Sequence, residues 1–124
     1  MSMMDNYRKG WATRYLRESK AELIAAKKTP YMAVGFIMEA LTKAQAAIYY
    51  SIGDPAFIVP IVHETIHTKQ QVEDPILNFL VEIEKTLQQL AQNPKVDNEQ
   101  TMEHVNDIIE YTSEIVELFG GESS

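Results

Sequence analysis

His63-Glu64-Thr65-Ile66-His67 is the one run in this chain whose residue types and spacing spell a catalytic motif. On a helix, two histidines four residues apart share a face and can bind one zinc, while the glutamate between them can activate a metal-bound water. That is metallopeptidase chemistry, so metal-dependent hydrolysis is one reading of the chain. A catalytic zinc needs a third protein ligand. In an antiparallel bundle His104 falls near the opposite end from His67, whereas Asp54, Glu114 and Glu117 are expected to return to the same end. The metal alternative is therefore His63 and His67 with Asp54, Glu114 or Glu117.

Several features weigh against it. Peptidases commonly hold substrate along a sheet edge, and nothing here alternates polar and apolar as a strand does. Glu64 and His67 make a single E-x-x-H, where a ferritin-like di-iron bundle uses two. There is no G-x-S-x-G elbow and no glycine-rich phosphate loop. The chain has no cysteine, which removes thiolate zinc sites, cysteine nucleophiles and disulfide scaffolds. The preferred expectation is thus no catalytic residue, no cofactor and no metal.

The elements that would position these residues are helical. Apolar positions recur at spacings of three and four throughout. A first helix is expected from about Tyr7 to Lys28, with Trp11, Tyr15, Leu16, Leu23 and Ala26 inward. Thr29 and Pro30 read as the cap and first residue of a second helix, from Tyr31 to Ile52. It carries a core stripe (Val34, Ile37, Leu41, Ile48, Ile52) beside a small-residue stripe (Ala33, Ala40, Ala44, Ala47) that lets a neighbour approach closely. Gly53, Asp54 and Pro55 end it, the glycine expected to close left-handed.

Pro60 is expected to open a third helix with Ile61, Val62 and Ile66 inward, kinked or split near Pro75, where Asp74 is a second cap. After it Ile76, Leu80, Ile83, Leu87 and Leu90 form the most regular stripe. Asn98 or Asp97 should cap the last helix, whose inward residues are Met102, Val105, Ile109, Thr112, Ile115 and Phe119. The expected fold is all-α, a single domain over residues 1–124, and an antiparallel up-and-down four-helix bundle. Its ends, 1–6 and 120–124, are expected to be mobile. Tyr49, Tyr50 and Phe57 cluster near one end of this bundle and read as a core cover or a dimer surface.

With 124 residues and 45% apolar content the chain is neither disordered nor, lacking any long apolar run, membrane-spanning. Met1 to Lys9 lacks the apolar core of a signal peptide, so a cytoplasmic protein with no membrane partner is expected. The net charge of −7 is unevenly spread. Up to Lys43 there are eight basic and four acidic residues; beyond it, three basic and 14 acidic. Acidity over most of the surface disfavours nucleic acid, but Arg8, Arg14, Arg17 and Lys20 leave RNA binding through the first helix as an alternative.

The stretch Tyr15-Leu16-Arg17-Glu18-Ser19-Lys20-Ala21-Glu22-Leu23, the run Ala44-Gln45-Ala46-Ala47, the closing Gly53 and then His63 resemble the HEPN superfamily. These are prokaryotic helical bundles often paired with minimal nucleotidyltransferases or acting as toxin ribonucleases. The ribonucleases carry an arginine followed four to six residues later by a histidine. Here the last arginine is Arg17 and the first histidine is His63. The resemblance therefore implies the non-nucleolytic kind, a partner or substrate-positioning subunit. The leading expectation is a non-catalytic interaction protein that works as a homodimer or with another protein.

Overall fold

The computed structural model describes residues 5–69, 71–94 and 98–120. Among them the elements are all helical: α1 (Asn6–Lys28), a 3-10 turn (Pro30–Met32), α2 (Ala33–Ile52), α3 (Pro55–Thr68), α4 (Pro75–Gln92) and α5 (Asn98–Gly120). The all-α class stands, with five helices rather than four. The segment expected to be kinked or split near Pro75 is split. Asp74 accepts the N–H groups of Ile76 and Leu77 at 2.9 and 3.1 Å, and Pro75 takes the first helical position, where no donor is needed.

The start of α3 differs from expectation. Pro60 lies inside the helix, which begins at Pro55 because Asp54 accepts the Ala56 N–H at 2.9 Å. Gly53-Asp54-Pro55 therefore ends one helix and starts the next with no linker between. Pro60 has no N–H to offer the Ala56 carbonyl, and the helix continues because both residues are exposed, so water can satisfy that carbonyl. Gly53 is extended, with φ at 174°, rather than left-handed. What it supplies is close approach: a Cβ there would stand 3.0 Å from Ile58 Cδ1.

At the other end of α3, Lys69 is left-handed, with φ at 55° and ψ at 36°. A side chain pays a steric penalty there that glycine does not. Lys69→Gly is expected to raise stability by about 0.5–1 kcal/mol, after allowing for the greater freedom of glycine in the unfolded chain. A melting temperature unchanged or lowered in thermal denaturation would contradict this.

One other expectation at a helix end changes. The Thr29 side chain makes no capping bond, and the chain passes through the 3-10 turn before α2 begins. Asp97, one of the two expected caps, lies outside the described residues, as do 1–4 and 121–124 of the expected mobile ends, while Asn98 is the first residue of α5. Asp5 caps α1 by accepting the Arg8 N–H at 2.8 Å, Asn6 is the first residue of that helix, and Gly120 is the last, buried residue of α5.

Core packing centres on α2, which touches each of the other four helices. Ile37, Leu41, Ile48, Ala40, Ala44 and Ala47 are fully buried, so both expected stripes face inward. The small residues admit α1, whose buried Ser19 hydroxyl donates to the Ala40 carbonyl at 2.7 Å. Lys43 meets Glu22 and Tyr50 stacks on Tyr15, so α1 and α2 run antiparallel. Lys20 beside Ser113 and Leu16 clustered with Val116 set α5 antiparallel to α1. Phe79 against Tyr111 and Glu82 beside His104 set it antiparallel to α4. The inward stripes of α4 and α5 fall where the spacing places them.

Helix α3 fits less closely. Val62 and Thr65 are its buried residues, and Ile61, expected inward, is 51% exposed. Its contacts with α4 advance in the same direction along both helices. Ile58 and Ile61 share a groove with Ile76, Leu77 and Leu80, and His63 lies beside Glu84. The helix therefore lies alongside the start of α4 instead of continuing into it.

Candidate functional site

The helical register of α3 brings His63, Glu64 and His67 to the surface, where all three are exposed. His63 Nε2 stands 3.9 Å from Glu84 Oε2 of α4. That carboxylate is engaged elsewhere too, since its Oε1 accepts from the buried Gln45 amide at 2.7 Å. Asp54 is occupied in capping α3, while Glu114 and Glu117 are exposed on α5. Among the described residues no three histidine, aspartate or glutamate side chains gather as metal ligands. Asp54, Glu114 and Glu117 thus do not join His63 and His67 in one site.

Two features of the structure have no counterpart in the motif. The first is the Gln45–Glu84 pair between α2 and α4. Burial, helped by the Glu84 charge, pushes the neighbouring Tyr49 phenol up to about 12. The second is His104, whose Nε2 lies 3.6 Å from Glu82 Oε2. It borders a trough of about 590 Å³ between α4 and α5, lined by Thr86, Gln89, Leu90, Gln92, Asn93, Gln100 and Thr101. Such pairings join residues far apart in sequence, so no local spacing announces them.

On α1 the charges sort by face. Arg8 lies 3.9 Å from Asp5, and Arg14 is 3.0 Å from Glu18 with its guanidinium 5.2 Å above the Trp11 ring. Lys43 of α2 reaches Glu22 at 2.8 Å, Glu18 at 3.5 Å and Glu39 at 3.9 Å. The Glu22 hydrogen bond leads the causes that raise the Lys43 pKa, and the Arg14 bond leads those that lower that of Glu18. Glu18, Glu22 and Lys43 thus meet where α1 faces α2, while Arg14 stays largely exposed. The outer side, an arc of roughly 100° at 3.6 residues per turn, holds Lys9, Arg17, Lys20, Lys27 and Lys28, all exposed. Lys20 contacts Ser113, and none of the five has a carboxylate partner among the described residues.

The end of the molecule where α2 stops is apolar. Trp11, Tyr15 and Tyr50 stack with ring centres 5.7–6.1 Å apart, and Tyr7, 69% exposed, packs edge-on against Trp11. The Tyr50 phenol is raised above its usual range, first by burial and then by Tyr15, Tyr7 and Asp54, which brings the cap of α3 to the same end. Next to it Phe57 is 73% exposed and Leu118 is 68% exposed. A groove of about 260 Å³ is lined by their chain neighbours Ile58 and Phe119 with Ile52, Ile61, Ile76 and Leu77. The expected aromatic cluster therefore divides: Tyr49 is buried, Tyr50 joins the α1 stack, and Phe57 faces solvent.

Comparisons with known protein families, curated proteins and solved structures return no match to this chain. No described helix is long and apolar enough to cross a membrane.

Proposed function

We propose that this chain is a non-catalytic helical interaction protein that associates through its apolar end, with a second copy or another protein. In this reading α1, α2, α4 and α5 serve as an up-and-down four-helix scaffold, and α3 is the element laid on it to present the contact. The observation that carries the proposal is an apolar groove lined by exposed Ile61, with exposed Phe57 and Leu118 each next in the chain to a lining residue (Ile58, Phe119), since apolar surface of this kind marks interaction sites in folded proteins. The exposure of His63, Glu64 and His67, with no third ligand gathered beside them among the described residues, supports a non-catalytic role. The resemblance to non-nucleolytic HEPN bundles agrees with it, and would make the chain a HEPN-like partner or substrate-positioning subunit.

Sedimentation velocity tests the association. The wild-type protein is expected to sediment as more than a monomer, or to bind an apolar dye at its free end. Phe57→Asp with Leu118→Asp should abolish either behaviour while changing stability by less than about 1 kcal/mol, because both side chains are largely exposed. A wild-type monomer that binds no dye would remove the reading.

A second reading, RNA binding, is favoured by one observation: the five cations on the outer arc of α1. It shifts the expected contacts from Arg8 and Arg14, which face Asp5 and Glu18, to Lys9, Arg17, Lys20, Lys27 and Lys28. Binding would then fall steeply with salt. Lys27→Glu with Lys28→Glu should weaken RNA retention in gel-shift titrations by about tenfold or more at low ionic strength. No retention of any RNA by the wild-type protein would end this reading.

A further inference from the structure

The basic arc of α1 runs into a recess. At about 100° per residue Lys9, Lys20 and Lys27 fall within about 20° of one another, a row about 27 Å long, with Arg17 and Lys28 beside it. Lys27 ends that row and also lines a recess of about 810 Å³ between the α1–α2 turn and the start of α5. A cavity of about 150 Å³ already admits benzene, so this one has room for a larger flat ring. Its apolar side includes Tyr31, Val34 and Met102, and its charged groups are Lys27, Glu99 and Glu103. The Tyr31 ring is 88% exposed and meets no other ring among the described residues. Glu99 and Glu103, one turn apart on α5, are exposed, and their carboxylates have no partner among the described residues.

Row and recess select different chemistry. The row suits a run of anions. The recess repels a phosphate, because two carboxylates outweigh one ammonium, and offers an open ring face beside hydrogen-bond acceptors. It suits a flat, uncharged group that carries an N–H donor. A single-stranded nucleic acid holds both kinds of group in one chain, whereas in a duplex the bases are stacked and their amines paired. We infer that α1 and this recess bind single-stranded RNA, its phosphates along the cation row and one unpaired base on the Tyr31 ring, the amine of that base donating to Glu99 or Glu103. The inference rests on the RNA reading above and adds to it a strand state and a base preference. The net charge of −7 acts weakly at the row. Asp5, Glu18, Glu22 and Glu39 already face Arg8, Arg14 or Lys43, and charges beyond a Debye length, about 10 Å at 0.1 M salt, are largely screened. Glu110 and Glu117, one turn to either side of the Ser113 that Lys20 contacts, border the row and confine a strand to it.

Fluorescence anisotropy with labelled RNA of about ten nucleotides, at about 0.1 M salt, tests it. Oligocytidylate, whose bases carry an exocyclic amine, is expected to bind about fivefold or more tighter than oligouridylate, whose bases carry a carbonyl there. Tyr31→Ala should weaken the single strand by about tenfold and leave an RNA duplex of the same length unaffected, with an unchanged circular dichroism spectrum, since the ring is exposed. Its salt dependence should match that of the wild type, because no phosphate contact is lost. Tyr31→Trp should restore the affinity. Glu99→Gln with Glu103→Gln should raise binding of both oligonucleotides and erase the preference between them. RNA binding that is the same in Tyr31→Ala as in the wild type, or indifferent to cytosine against uracil, would overturn the base in the recess and leave the RNA reading standing. Retention of no oligonucleotide by the wild type at any salt concentration, or of phosphatidylserine vesicles in place of RNA, would overturn both.

Discussion

Ala44→Leu is expected to lower stability by about 3 kcal/mol, which for a domain of this size is a fall of about 10 °C in melting temperature. Ala44 is fully buried in the middle of α2, in the stripe that brings this helix against its neighbours. Three added carbon atoms have no space to enter, so α1 or α4 must move outward. Displacement of α1 would stretch the Ser19 bond to the Ala40 carbonyl, leaving a buried hydroxyl poorly satisfied. The same change at exposed Ala21 is the control and should stay within about 0.5 kcal/mol. Thermal melts followed by circular dichroism would decide it, and equal melting temperatures for the two variants would mean that the alanines are not a packing constraint.

The second large effect lies at alkaline pH. Tyr49 is 7% exposed, and its phenol titrates at about 12 against 10.0 for an unperturbed tyrosine. Between those values the unfolded chain has released a proton that the native state still holds, so stability falls as pH rises through the window; below 10 it is intact. The loss reaches about 2–3 kcal/mol at the upper end. Lysines titrate in the same range and add a background slope, so the informative quantity is the difference between wild type and Tyr49→Phe. The variant, which has no proton to lose there, should show the shallower decline in urea-derived stability between pH 10 and 12. Parallel curves would show that Tyr49 is freer to ionise than its burial implies.

The long helices were legible because their stripes repeat over several turns. Ile76, Leu80, Ile83, Leu87 and Leu90 cannot face one side in any other conformation, and Asp74-Pro75 marks a start by chemistry that needs no tertiary help. Helix α3 was harder to bound. Gly53-Asp54-Pro55 reads as a stop for α2, and the identical residues cap α3, so the helix begins at Pro55 and not at the expected Pro60. Pro60 strengthened that error, since proline is far more common at a helix start than inside.

The candidate site was half legible for a related reason. The spacing of His63 and His67 shows that they share a face, not whether that face is covered. Ile61, two residues earlier, reads as core by its side chain and is exposed because α3 meets its neighbours over a narrow strip. The Gln45–Glu84 bond spans 39 positions and joins two helices whose relative rotation no local pattern fixes. Charge sorting on α1 falls between these cases. The i,i+3 and i,i+4 spacings already pair Arg8 with Asp5 and Arg14 with Glu18, but nothing local to α1 shows that Lys43 arrives from α2 beside Glu18 and Glu22.

The shallow seating of α3 has a consequence for how the molecule breathes. With Val62 and Thr65 as its buried residues and a proline interrupting its amide ladder, α3 contributes little to the cooperative core and can detach without the other helices unfolding. Its backbone amides should then exchange with solvent deuterium through a low-energy partial opening, while those of α2 wait for global unfolding. Because Phe57 and Ile61 ride on this loosely held unit, any molecule that docks there would slow exchange most in α3, coupling occupancy of the apolar end to the order of the weakest helix.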